Sequence, residues 1–127
     1  MAIPIGRHAW AVAEGYIPPG STAPVPELAS HETICILNAG AEDAQVTVTV
    51  YFSDRAPVGP YRFTVPAKRT HHLRFNEFTD PAPIPKGTAF SSVIEASVPV
   101  VVQHTRLDSR QAALALLSTM AFPVDGA

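Results

Sequence analysis

The stretch QVTVTVYFS, Gln45 to Ser53, alternates without a break: Val46, Val48, Val50 and Phe52 fall on one side of an extended chain, and Thr47, Thr49 and Tyr51 on the other. A helix would scatter the valines around its circumference. A strand gathers them onto one face, so the segment predicts a half-buried β-strand. Turn chemistry brackets it. NAGAED (38–43) before it, DRAPVGP (54–60) after it and VPAKRT (65–70) further on combine Gly, Pro, Asn and Asp as hairpin connections require, which implies antiparallel neighbours.

The rest of the chain reads in the same way. Thirteen prolines punctuate it and nearly exclude long helices, since proline neither donates to a ladder nor sits inside a helix. Between them, strands are expected at His8–Glu14, Glu32–Asn38, Tyr61–Val65, Thr70–Phe75, Ser91–Ser97 and Val100–Leu107. RQAALALLSTM (110–120) reads as a final strand, with a short helix as the alternative. The proline-rich YIPPGSTAPVPEL (16–28) and FTDPAPIPKGT (78–88) are expected as stiff walls rather than floppy linkers. The prediction is an all-β, antiparallel sandwich forming a single domain over residues 1–127, with its core at about 5–122.

Composition agrees with a compact fold. The chain has 127 residues, 46 % of them apolar and 16 % charged, and its formal net charge is −2. That is long enough to bury a core without staples, and too close to neutral for a disordered or generically DNA-coating protein. Cys35 is the only cysteine, so no internal disulfide can form; it sits in the apolar run TICILN and reads as a buried structural thiol. No window approaches membrane-spanning length, and a cytoplasmic location is expected.

Four groups of residues carry possible chemistry. In VVVQHTRLDSRQ (100–111), parity puts Val100, Val102, His104 and Arg106 on one face, and Asp108 and Arg110 continue the polar ladder. Arg forks and an imidazole suit hydroxyls or anions, whereas the plainer reading is a salt-bridged strand end. In WAVAEGY (10–16), Trp10, Val12, Glu14 and Tyr16 share a face that resembles a sugar platform, although a large aromatic more often packs in a core or subunit interface. His31 and Glu32 open the strand SHETICILN; His31, Glu14 and His104 offer ligand types a metal accepts but lack ligand spacing, so no metal is assigned. Finally, Lys68, Arg69 and Arg74 in PAKRTHHLRF could touch nucleic-acid phosphates or an anionic partner, or simply charge a strand edge against aggregation. Phosphate loop, nucleophile elbow, CxxC and HExxH are all absent, so the residues support neither an enzyme nor a cofactor.

WAVAEGYIPP, SHETICILNAG, YFSD, PVGPYRFTVPAKRT, DPAPIP and VVVQHTRLDSRQ occur in one collinear order from about Ile5 to Phe122, and together they resemble the sensory rhodopsin transducer family. The resemblance implies a small antiparallel β-sandwich of jelly-roll character that assembles into a homotetramer in the cytoplasm. It implies a role in binding the cytoplasmic face of a microbial rhodopsin, with DNA binding proposed for that branch. For members without a rhodopsin it implies small-molecule binding, with sugars or related metabolites as favoured ligands. The family motif falls on Trp10, Glu14, His31, Glu32, His104, Arg106, Asp108 and Arg110, which raises ligand binding above the salt-bridge reading. These residues are the expected ligand-binding set.

Overall fold

The structure is a computed structural model that describes residues 3–124. The expected domain span of 1–127 therefore reaches at both ends beyond the described residues. Among the described residues there are eight strands: β1 (Arg7–Val12), β2 (His31–Asn38), β3 (Ala44–Tyr51), β4 (Val58–Val65), β5 (Arg69–Arg74), β6 (Ser91–Asp108), β7 (Ala115–Met120) and β8 (Phe122–Pro123). Single 3₁₀ turns at Pro26–Leu28 and Phe75–Glu77 are the only helical elements among the described residues. Every strand pairing is antiparallel.

The architecture is an all-β sandwich whose two layers share β6. Its first half pairs with β3 and β1, extending the order β4-β3-β6-β1-β8; its second half pairs with β2 and β7, giving β5-β2-β6-β7. Inward residues from both layers meet in one core. Val46, Val48, Val50 and Ile94 come from the first layer, and Ile34, Ile36, Leu73, Val100 and Val102 from the second. The alternation of residues 45–53 holds: Val46, Val48 and Val50 are buried, Phe52 packs against the core, and Tyr51 is exposed.

One expectation needs correction. Ser91–Ser97 and Val100–Leu107 are a single strand of 18 residues, despite the proline between them. Ala9 is registered with Glu95 and Arg7 with Val100, so two positions of β1 span five of β6. Ser97, Val98 and Pro99 thus lie in a bulge with no registered partner, where the missing N–H of Pro99 costs no ladder bond. At this bulge the strand leaves one layer for the other. Gly6 makes the crossing possible: its φ is +109°, and a Cβ there would lie 2.0 Å from the Val100 carbonyl oxygen.

Of the stretch 110–120, Ala115–Met120 forms the strand β7 and no part of it is helical. The proline-rich connections are tied to the sandwich at a few points. Ile17, Phe78, Ile84 and Phe90 anchor them in the core, where Phe75 stacks at 4.8 Å from Phe78 and 5.1 Å from Phe90. The two connections bond each other, Gly87 N–H donating to the Ile17 carbonyl (2.8 Å) and Phe90 N–H to that of Gly15 (2.9 Å). Together they close one end of the sandwich.

Candidate functional site

At that end the inward face of the second layer turns polar. Glu32 on β2 is directed inward and is completely buried, and pairing with β6 sets it opposite Arg106 with His104 one inward position away. A carboxylate in such a place needs several partners, because a buried charge without them is strongly destabilising. It has four hydrogen bonds: Oε1 accepts from His104 Nε2 (2.6 Å), and Oε2 accepts from Tyr16 N–H (2.5 Å), Arg106 Nε (3.1 Å) and Arg106 Nη2 (2.9 Å). An ionised carboxylate only accepts, which assigns the proton on Nε2 of His104 to this bond. Nδ1 of His104 is buried with no partner.

Arg106 joins the interior to the surface. Its Nη2 also donates to Glu14 Oε2 at 2.8 Å, and while Glu32 is wholly buried, the Glu14 side chain is 67 % exposed. Burial opposes the charge on Arg106, but the bonds from Glu14 and Glu32 outweigh it and raise its pKa further. The guanidinium carbons of Arg106 and Arg110 each lie 5.9 Å from the Tyr16 ring centroid, so the ring joins two cations. Arg110 forks onto Asp108, with Nη2 to Oδ2 at 2.6 Å and Nε to Oδ1 at 3.0 Å. The bonds from its side chain and then its backbone N–H lower the Asp108 pKa to about 2.

The supporting residues come from the connections. Asn76, just after β5, accepts from the Glu32 N–H (3.2 Å) and donates to the Ser30 carbonyl (3.0 Å), fixing the start of β2. Ser109 is fully buried; its N–H donates to Ser30 Oγ at 2.9 Å, and its carbonyl accepts from Thr22 N–H at 2.7 Å. This pins the first proline-rich connection to the end of β6.

The structure brings Glu14, Glu32, His104, Arg106, Asp108 and Arg110 to one end of the sandwich, and it separates the other two expected ligand residues from them. Trp10 is a core residue, 5 % exposed, whose indole N–H donates to the carbonyls of Val100 (2.9 Å) and Arg7 (3.2 Å). The platform reading of Trp10 beside Glu14 fails because β1 ends at Val12, so the alternation that put them on one face does not continue. His31 is one residue from Glu32 and therefore faces the opposite side of the layer, its Nδ1 donating to the Ala29 carbonyl at 2.7 Å. His31, Glu14 and His104 are not brought together, and no group of three or more His, Cys, Asp or Glu side chains fit to hold a metal ion occurs among the described residues.

Arg69 and Arg74 sit at the two ends of β5, which pairs with β2 alone and is an edge strand, and Lys68 just precedes it. Arg69 turns back to the Lys68 carbonyl and Arg74 to those of Pro26 and Glu27, which sets Arg74 apart from the other two. Tyr16 and Asn76 were missed as site residues. Tyr16 was visible as the aromatic two residues after Glu14, but the bond from its backbone N–H to Glu32 is not something sequence patterns reveal.

Residues 5–123 match the protein family described as Anabaena sensory rhodopsin transducer. The chain belongs to this family. A solved structure of an Anabaena sensory rhodopsin transducer is 59 % identical to it over 81 % of this chain and 99 % of that one, with a TM-score of 0.70. The crystal structure of Thermotoga maritima 1070 is similar over 96 % of this transducer-family chain and 98 % of its own, at 34 % identity and a TM-score of 0.82. Among curated proteins none matches. No helix among the described residues is long and apolar enough to cross a membrane.

Proposed function

We propose that this transducer-family protein is a non-enzymatic, cytoplasmic signalling module that binds a small polyhydroxylated molecule, a sugar or related metabolite, at the polar end of its sandwich. The observation that carries the reading is the unequal grip on Arg106. Its inner bonds, to Glu32, are buried, and its outer bond, to Glu14, is exposed. A ligand hydroxyl can replace the outer partner without disturbing the inner one, while Tyr16 offers a ring face and Arg110 a second donor. Thermal-shift and calorimetric screening against sugars and metabolites tests this. A ligand at a hundred times its dissociation constant stabilises the fold by about 2.7 kcal/mol; Arg110→Gln should weaken binding, and Glu14→Gln, which loosens the partner the ligand displaces, should strengthen it, both positions being exposed. Binding unaltered in both variants would remove this end from the site.

A second reading, a protein-interaction adaptor for a membrane-embedded sensory rhodopsin, is favoured by the 59 % identity to a protein described as such a transducer. A screen without hits, together with co-purification of a rhodopsin, would select it. A homotetramer is supported by β7, which pairs only with β6 and is exposed at every residue, including Leu116 at 69 %. Leu116→Lys should lower the mass seen by light scattering. A wild-type protein that runs as a monomer would end that proposal.

A further inference from the structure

The outward face of the second layer differs from an ordinary solvated sheet face. Arg74, Thr33 and Thr105 are direct cross-strand neighbours on β5, β2 and β6, and together with His31, His72 and Glu77 they line a groove of about 420 Å³. That volume lies within the range of small-molecule sites, about 300–1,000 Å³. On its floor Thr33 is only 6 % exposed, and its Oγ1 is buried without any partner. A valine would fill the same space without a stranded hydroxyl, so the hydroxyl is a cost to the unliganded fold that a ligand would relieve.

The walls specify the chemistry. Arg74 is held by bonds to the Pro26 and Glu27 carbonyls at 3.5 and 3.1 Å, which fix its cation at the rim. His31 donates from Nδ1 to the Ala29 carbonyl, which in the neutral tautomer leaves Nε2 as an acceptor, and Glu77 adds a second acceptor. His72 is exposed. Cys35, also in the lining, has its thiol pKa pushed up by burial, so no thiolate opposes an anion here. A cation with hydroxyl donors suits an oxyanion, and the two acceptors suit hydroxyl groups on the same molecule.

We propose that this groove is a second binding site, for a small hydroxylated oxyanion such as a phosphorylated polyol. It uses the opposite faces of β2 and β6 from Glu32, His104 and Arg106 and is independent of the site at the end of the sandwich. The test is nuclear magnetic resonance titration of the His31 and His72 ring signals in the full chain, with glycerol 3-phosphate, inorganic phosphate and glycerol as separate probes. Glycerol 3-phosphate should give saturable shifts of both rings, inorganic phosphate should bind more weakly, and glycerol should leave the signals unmoved. Arg74→Gln should weaken binding about tenfold or more, the scale of one charge-assisted bond. Thr33→Val should lose binding while melting at or above the wild-type temperature, a combination that a purely structural hydroxyl would not give. Glu14→Gln should bind as wild type. No saturable shift with glycerol 3-phosphate, or equal affinity in Thr33→Val and Arg74→Gln, would overturn the proposal.

Discussion

Replacing Glu32 tests whether the cluster at the end of the sandwich is energetically real. Glu32→Ala removes a fully buried carboxylate and takes away every bond of His104 Nε2 and Tyr16 N–H within the cluster, leaving Arg106 with Glu14 alone. Breaking a buried pair in this way costs about 3–5 kcal/mol, against a total of about 5–15 kcal/mol for a domain. For a chain of this size the melting temperature should fall on the order of 10–20 °C. Urea unfolding measures the loss at equilibrium. Glu32→Gln keeps the shape and one acceptor, so it should lose about 1.5–3 kcal/mol and remain folded for comparison. A cycle with Arg106→Ala should show coupling of roughly 1–3 kcal/mol. The combined Glu32→Leu, His104→Phe, Arg106→Met variant should recover most of the loss, falling short by about the 1–3 kcal/mol of the stranded Tyr16 N–H. A loss below about 1 kcal/mol in Glu32→Ala, the worth of a surface pair, would refute the reasoning.

Three further outcomes follow from the same structure. Asp108 has a folded pKa of about 2 against an ordinary 3.8, so its bond with Arg110 favours the folded state fully above pH 3.8 and loses that effect as pH falls towards 2; carbon-detected titration of the carboxyl should show the low value, and Arg110→Gln should return it to the ordinary range. Trp10→Phe strands the Val100 carbonyl, bonded at 2.9 Å, and should cost about 1–3 kcal/mol in urea unfolding; an unchanged midpoint would contradict the buried indole bond. Gly6→Ala forces a Cβ to within 2.0 Å of the Val100 carbonyl oxygen in a left-handed conformation, and circular dichroism should show a large fall in melting temperature.

Strands bounded by hairpin turns were legible because alternation and turn chemistry are local. β3 extends one residue before the stretch 45–53 and stops two short of its end, and its valines are in the core. The fusion of two expected strands into β6 was not legible, because Pro99 signals a break and only the three-dimensional bulge opposite β1 makes it harmless. Parity read the site well where a strand continued: Val100, Val102 and His104 are all buried, and Arg106 lies on the same row. It misled at Trp10 and Glu14, where β1 had ended, and it warned correctly that neighbours such as His31 and Glu32 face apart. The contributions of Tyr16 and Asn76 depend on segments distant in sequence meeting at the start of β2, which no local period encodes.

The arrangement around Arg106 bears on how binding could become a signal. Glu14 lies just beyond β1, and Tyr16, two residues on, gives its N–H to Glu32 while its backbone bridges to Ala89 in the second proline-rich connection. Under the proposed reading, a ligand that takes over the outer side of Arg106 releases Glu14 but leaves the Glu32 bonds in place. The change therefore starts in the segment between β1 and β2, which also contacts Ser109, just after β6, through Thr22. β7 follows directly on that end and carries the exposed apolar row. Under the same proposed reading, the site couples a surface bond to β7, the strand that carries the exposed apolar side chains, without disturbing the core. Hydrogen exchange makes the point testable: with bound ligand, amides of residues 13–22 and 109–120 should change protection together, and those of β3 should not. A change confined to residues 13–22 would mean that the site binds without communicating.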